Sequence, residues 1–161
     1  MTTMNALILP GSQRKRDPEN LREYLYYSGA TGVAPAWAVY DGPLARCVRK
    51  HAPYRDLDIF FLSARFGLIQ VSYLVTLYDQ KMMSQQAANP EWIGTHITVP
   101  WLRIGASGFY ENVYTCLPRL YQAALIAGLH PFGIEPVPIV KESTSQGLMA
   151  QALKRFLVER S

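Results

Sequence analysis

The sequence predicts an α/β domain with a mainly parallel central sheet, and three observations carry that expectation. Leu57-Asp58-Ile59-Phe60-Phe61-Leu62-Ser63 is a nearly continuous apolar run rich in β-branched and aromatic residues, the pattern of a strand covered on both faces. Asn5 to Pro10 (Asn-Ala-Leu-Ile-Leu-Pro) is a second such run. Between and after them stand the helix-start signals Asp17-Pro18-Glu19, Asp41-Gly42-Pro43 and Asn89-Pro90-Glu91, where a capping side chain precedes a proline suited to the first helical turn.

Composition narrows the class. The 161 residues suffice for one domain, 1–161, with a sizeable core, and 49% hydrophobic against 17% charged residues excludes a disordered chain. No apolar run approaches the ~18 residues of a membrane span, and the first ten residues lack the basic start of a secretory signal. A cytoplasmic protein without a membrane partner is therefore expected. Cys47 and Cys116 lack C-x-x-C spacing and are expected to be buried thiols. The net charge is +4, with Arg14, Lys15, Arg16, Arg22, Arg46, Arg49, Lys50 and Arg55 crowded into the N-terminal third. That balance suits a polyanion or a phosphorylated ligand, and equally a solvated basic face.

Taken in order, the first strand leads into Gly11-Ser12-Gln13-Arg14-Lys15, where a glycine, a hydroxyl and a lysine can face a phosphate or carboxylate or simply form a polar turn. A helix is expected from Asp17 through Leu21 and Leu25 to Ser28-Gly29, then a loop to Pro35. The next helix carries Leu44, Cys47 and Val48 as its apolar stripe, with Arg46, Arg49 and Lys50 on the other face. After the strand at 57–63 a turn is placed at Gly67, then a surface loop. Ligands of open α/β sheets sit beyond the carboxyl ends of the strands, so Ser63, Arg65 and the loop to Tyr78 and Asp79 lie where chemistry is usually done.

Helix is expected over Gln80 to Ala88 and again from Asn89. Ile97 to Ile104 is an apolar run whose Pro100 argues for an edge or irregular strand. Gly105-Ala106-Ser107-Gly108 then reads as a turn feeding a long helix with Tyr110, Val113, Leu117, Leu120, Tyr121 and Leu125 at helical spacing, stopped by Gly128. Val137 to Val140 is a short last strand and Lys141 to Gly147 a polar loop. The final helix, Leu148 to Val158, places Leu148, Ala152, Phe156 and Leu157 on one face. His51, His96 and His130 are scattered, and no His, Cys and carboxylate set has metal-ligand spacing.

Several of these segments together resemble a family of small bacterial and phage proteins of unassigned function. Pro10-Gly11-Ser12-x-x-Lys15, Leu25-Tyr26-Tyr27-Ser28, Leu62-Ser63-Ala64-Arg65-Phe66-Gly67-Leu68 and Tyr78-Asp79 correspond to that family's Pro-Cys-Ser-x-x-Lys, Leu-Tyr-x-Ser, Leu-Ser-Ala-x-x-Gly-Leu and Pro-Tyr-Asp. Gly105 with Tyr110, and Gly147 before the last helix, resemble its later elements. Gly11 stands where the family has cysteine and Leu77 where it has proline, so no thiol role carries over. The family is similar to the peroxide-stress protein YaaA and to the archaeosine synthase core. The resemblance thus implies a three-layer, uracil-DNA glycosylase-like fold and a nucleobase or DNA ligand.

Under that resemblance the expected activity is hydrolysis of the N-glycosidic bond of a base flipped out of DNA, with a modified, phage-type base and a role in anti-phage defence implied by the family's settings. Flipping costs a few kcal/mol, which aromatic stacking at ~1–3 kcal/mol per base can offset. Tyr26, Tyr27, Phe66 and Tyr78 are the candidate rings, with Gly11, Ser28, Ser63 and Arg65 as further substrate contacts. The oxocarbenium-like sugar needs a carboxylate, for which Asp79 is the first candidate and Asp41 the second. The departing base anion needs a cation or donor, for which Lys15, Ser12 or Arg65 serve. Arg14, Arg49, Lys50, Ser107 and Ser145 are candidate phosphate contacts. No cofactor and no metal are needed, and a monomer is expected. Two other readings stay open: a nucleoside hydrolase or deoxyribosyltransferase acting on free nucleosides or nucleotides, and a noncatalytic DNA-binding module.

Overall fold

The computed structural model describes residues 3–11, 34–51, 56–76, 81–105, 108–140 and 145–159. Their elements, in chain order, begin with β1 (Met4–Pro10), β2 (Ala34–Pro35), α1 (Ala36–Val39), α2 (Pro43–His51), β3 (Leu57–Ser63), β4 (Gly67–Gln70) and β5 (Leu74–Val75). The chain continues through α3 (Ser84–Ala87), α4 (Pro90–Ile93), a π-helical turn (Gly94–Thr98), α5 (Val99–Arg103), β6 (Tyr110–Thr115), α6 (Arg119–Leu129), β7 (Val137–Pro138) and α7 (Gln146–Val158).

Five of the described strands form one sheet in the order β4-β3-β1-β6-β7. β1 pairs parallel with both β3 and β6, β6 pairs parallel with β7, and β4 alone runs antiparallel, on the edge beyond β3. The mainly parallel α/β sheet expected from the apolar runs is present. Side-chain alternation along its central strands feeds two separate cores. Leu7, Leu9, Leu57 and Phe61 join residues of α2 and α7 on one face, while Ala6, Ile8, Phe60 and Leu62 join residues of α3, α4, α5 and α6 on the other. Burial on both sides is why these strands lack the polar alternation of a half-exposed sheet.

Helix α2 begins at Pro43, as its proline predicts, and the restart at Asn89 follows from its cap. Asn89 accepts hydrogen bonds from the backbone N–H groups of Glu91 and Trp92, with Pro90 in the first turn. The structure overturns four other expectations. Ile97–Ile104 is helical rather than strand, because Pro100 sits in the first turn of α5, where its missing N–H costs nothing, and the π-helical turn joins α5 to α4.

The segment from Tyr110 to Thr115 is a strand and not the start of a helix. Its aromatic and β-branched residues suit a pleated surface beside β1, and Tyr110 donates a hydrogen bond to Asp58 Oδ2 at 2.7 Å. Burial and that neighbouring carboxylate hold the Tyr110 proton well above the usual phenol range. The helix that follows begins only at Arg119 and runs through Gly128 to Leu129. Gly128 does not end it, since Ile97 packs where a side chain on that residue would stand. In α7 Phe156 and Leu157 are buried as expected, but its first half buries Met149 and Leu153 in place of Leu148, which is 56% exposed, and Ala152.

Candidate functional site

The connection out of β1 returns to β3 past α2 on one face, and the connection from β3 to β6 crosses the other face through α4 and α5. The connection out of β6 returns to β7 through α6 on that second face, so the connections leaving the neighbouring strands β1 and β6 part to opposite faces, and a crevice opens beyond their carboxyl ends. A cavity of about 900 Å³ opens there. Its described lining comes from four segments far apart in the chain: Pro10 and Gly11 after β1, residues 42–45 at the start of α2, residues 81–84, and residues 118–121 at the start of α6.

The floor is tight. Gly11 donates its backbone N–H to Leu62 O at 2.8 Å, and a Cβ added at Gly11 would stand 3.0 Å from the Tyr40 hydroxyl and 3.2 Å from Ser63 Cα. The departure from cysteine at this position thus goes with a buried Tyr40 ring. Apolar side chains of Leu44, Met82 and Tyr121 contribute to the walls, and Met82 donates its backbone N–H to the Tyr121 hydroxyl at 3.3 Å. Lys81 and Arg119 add two cations.

One turn deeper along α2 the charge is already spent. Asp41 accepts from Arg46 Nε and Nη2 at 3.1 and 3.0 Å and from Arg49 Nη2 at 2.7 Å. Arg49 also donates to the carbonyls of Trp37 and Tyr40, which close α1. The Arg46 hydrogen bond, with Arg49 beside it, holds the Asp41 carboxyl below the usual carboxylate range against the opposing effect of burial. Arg49, expected to contact phosphate, thus links the end of α1 to α2, and Asp41, the second candidate carboxylate, is engaged by both arginines.

Leu62-Ser63-Ala64-Arg65-Phe66-Gly67-Leu68 folds as a β-hairpin between β3 and β4, in place of the surface loop expected after Gly67. Ser63 is fully buried, and its hydroxyl oxygen accepts from the N–H groups of Arg65 and Phe66 at 3.1 and 3.0 Å. Gly67 has φ +80° and lies against His96, whose carbonyl would meet an added Cβ at 2.2 Å. Gln86 donates to the carbonyl of Ala64. The serine and glycine of this motif are thus explained by turn geometry. Arg65 is exposed, with its guanidinium 5.5 Å from the centre of the half-buried Phe66 ring.

The structure brings Gly11 and Ser63 together and puts Gly11 on the cavity. It places neither Lys50, exposed on α2, nor Ser145, which caps α7 by accepting from Leu148 N–H at 3.4 Å, among the cavity's described lining. Ser12, Arg14, Lys15, Tyr26, Tyr27, Ser28, Tyr78, Asp79 and Ser107 lie outside the described residues. Strand β6 follows Gly108, so the long helix expected after 105–108 does not start there. His96 is half-buried, stacked on Trp92 at 4.7 Å, with Nδ1 3.1 Å from the Trp92 carbonyl. Burial pushes the Cys116 thiol up to about 12 and raises that of Cys47; both cysteines are free. Among the described residues no group of three His, Cys, Asp or Glu side chains can hold a metal ion, and no helix is long and apolar enough to cross a membrane.

Lys81, Met82, Pro118, Arg119 and Tyr121 were not singled out by sequence as site residues. The one signal for the last three was Leu117-Pro118-Arg119, a proline after a β-branched and aromatic run, which becomes legible once Tyr110–Thr115 is a strand. Comparison with family models, with curated proteins and with solved structures finds no match to this chain.

Proposed function

We infer that the protein is an N-glycosidic hydrolase of the DNA glycosylase type, with a uracil-DNA glycosylase-like architecture, acting on a base extruded from DNA into the cavity beyond β1 and β6. The observation that carries this reading is the cavity itself: about 900 Å³, at the carboxyl ends of the central parallel strands, with apolar walls and cations. A volume in the roughly 300–1,000 Å³ range of ligand pockets accommodates a nucleotide. Leu44, Met82 and Tyr121 offer apolar surface to a base lifted out of its stack, offsetting part of the few kcal/mol that extrusion costs.

The chemistry then asks for a carboxylate beside the sugar and a donor facing the departing base. With Asp41 consumed by two arginines, Asp79 is the carboxylate of this reading, two positions before the lining residue Lys81 in the chain. Ser12 follows the lining residue Gly11 directly, and Lys15 comes four positions after it. The modified, phage-type base and the part in anti-phage defence rest on the family resemblance.

The test incubates the purified protein with DNAs bearing different base modifications and looks by mass spectrometry for released free base. Release that disappears in Asp79→Asn supports the reading. Release from free nucleosides but from no DNA assigns the cavity to a nucleoside hydrolase instead, and no release from either leaves a nucleic-acid-binding domain without this chemistry.

A further inference from the structure

Lys81 and Arg119 stand on the cavity wall, and among the described residues neither has a hydrogen-bond or ion-pair partner. No aspartate or glutamate is among the described lining residues. The carboxylate next to that wall in sequence, Asp41, is already held by Arg46 and Arg49. Both side chains are exposed, and the positive charge of the cavity is uncompensated by any described residue. The first turn of α6 adds to it in a minor way, because Pro118 supplies no side-chain cap to the N–H groups there.

We propose that this cavity is a phosphate-recognising site, in which Lys81 and Arg119 hold a phosphate of the bound nucleotide while Leu44, Met82 and Tyr121 contact its sugar or base. The inference rests on the nucleotide reading given above and deepens it, since the preferred ligand must carry a phosphate and a bare nucleoside is the poorer one. The phosphate is either the terminal monoester of a free nucleotide or a diester within a DNA strand, and the recognition chemistry is shared: a guanidinium fork and an ammonium point charge.

The experiment titrates the full chain calorimetrically with the four common deoxynucleosides, with their 5′-monophosphates and with a mixed-sequence single-stranded oligonucleotide. The monophosphates are expected to bind about tenfold or more tightly than the nucleosides. Lys81→Gln combined with Arg119→Gln is expected to erase that ratio while circular dichroism is unchanged. Tighter binding of monophosphates than of the oligonucleotide assigns the monoester, and the reverse assigns the diester. A ratio near one in the wild type, a ratio that survives in the double variant, or no binding of any of the three ligands overturns the proposal. Should the double variant not fold, the wild type decides: the ratio must shrink as salt rises from about 50 to about 200 mM, and a ratio indifferent to salt overturns the proposal. Base release is not read here. Absence of glycosidic hydrolysis would therefore leave a phosphate preference standing, and absence of the preference would leave base release untouched.

Discussion

Arg46 and Arg49 stand on α2 just behind the cavity wall, whereas Lys81 and Arg119 stand on the wall itself, and the two pairs differ in what neutralises them. The first pair shares one carboxylate, Asp41, and Arg49 spends further donors on the carbonyls of Trp37 and Tyr40. The second pair has no such partner among the described residues. Counted along the chain, all four are equal contributions to a net charge of +4. In three dimensions one pair holds two helices together and the other is available to a ligand. Among the described residues, the basic cluster of the N-terminal third thus contributes arginines paired on α2, whereas the cations on the cavity wall come from residues 81 and 119, outside that third.

That contrast is breakable in several ways. The largest effect is expected from reversing the second pair: Lys81→Glu with Arg119→Glu should weaken binding of a single-stranded oligonucleotide by about 100-fold, read by fluorescence anisotropy, because attraction becomes repulsion at both positions. The melting temperature should barely move, since neither side chain holds the fold. Arg49→Met should do the opposite, costing about 2 kcal/mol in urea unfolding through lost charge-assisted hydrogen bonds while affinity stays within about twofold. Loss of affinity at unchanged stability in that variant would invert the comparison and make α2 the binding surface.

Acid sharpens it further. The Asp41 carboxyl is held below its ordinary value in the folded chain, so its stabilising contribution is complete above the unfolded value near about 4 and is lost as pH falls through the folded value. The stability gap between wild type and Asp41→Asn, measured by denaturant unfolding at several pH values, should therefore be flat at neutral pH and close at the acid end. Gly11→Cys, which restores the residue of the resembled family, should cost about 1 kcal/mol, because its Cβ meets the Tyr40 ring at 3.0 Å and that ring must give slightly. Arg46→Ala should cost least, leaving the urea midpoint nearly unchanged, since its side chain is half exposed and Asp41 keeps Arg49.

The Leu-Ser-Ala-x-x-Gly-Leu motif carries a related lesson. Its spacing drew attention as a candidate substrate loop, yet Ser63 and Gly67 close a hairpin whose turn must satisfy its own N–H groups and slide under His96. A motif can be demanding in sequence because a backbone is demanding in space. Pro10 and Gly11 are the described members of the resembled set that reach the cavity, because the end of β1 lies on its rim.

Local periodicity and capping determined β1, β3, α2 and the restart at Asn89, since a strand buried on both faces and a proline behind a capping side chain are readable within a few residues. Tyr110–Thr115 was beyond that reach: Tyr110 and Val113 fit a helical spacing as well as a strand, and only the place beside β1, with Asp58 accepting from Tyr110, selects the strand. The cavity and its two available cations belong to the tertiary structure alone. Residues 10–11, 42–45, 81–84 and 118–121 meet because parallel pairing brings the carboxyl ends of β1 and β6 to one rim, and the cations there, Lys81 and Arg119, are not the two arginines that Asp41 holds.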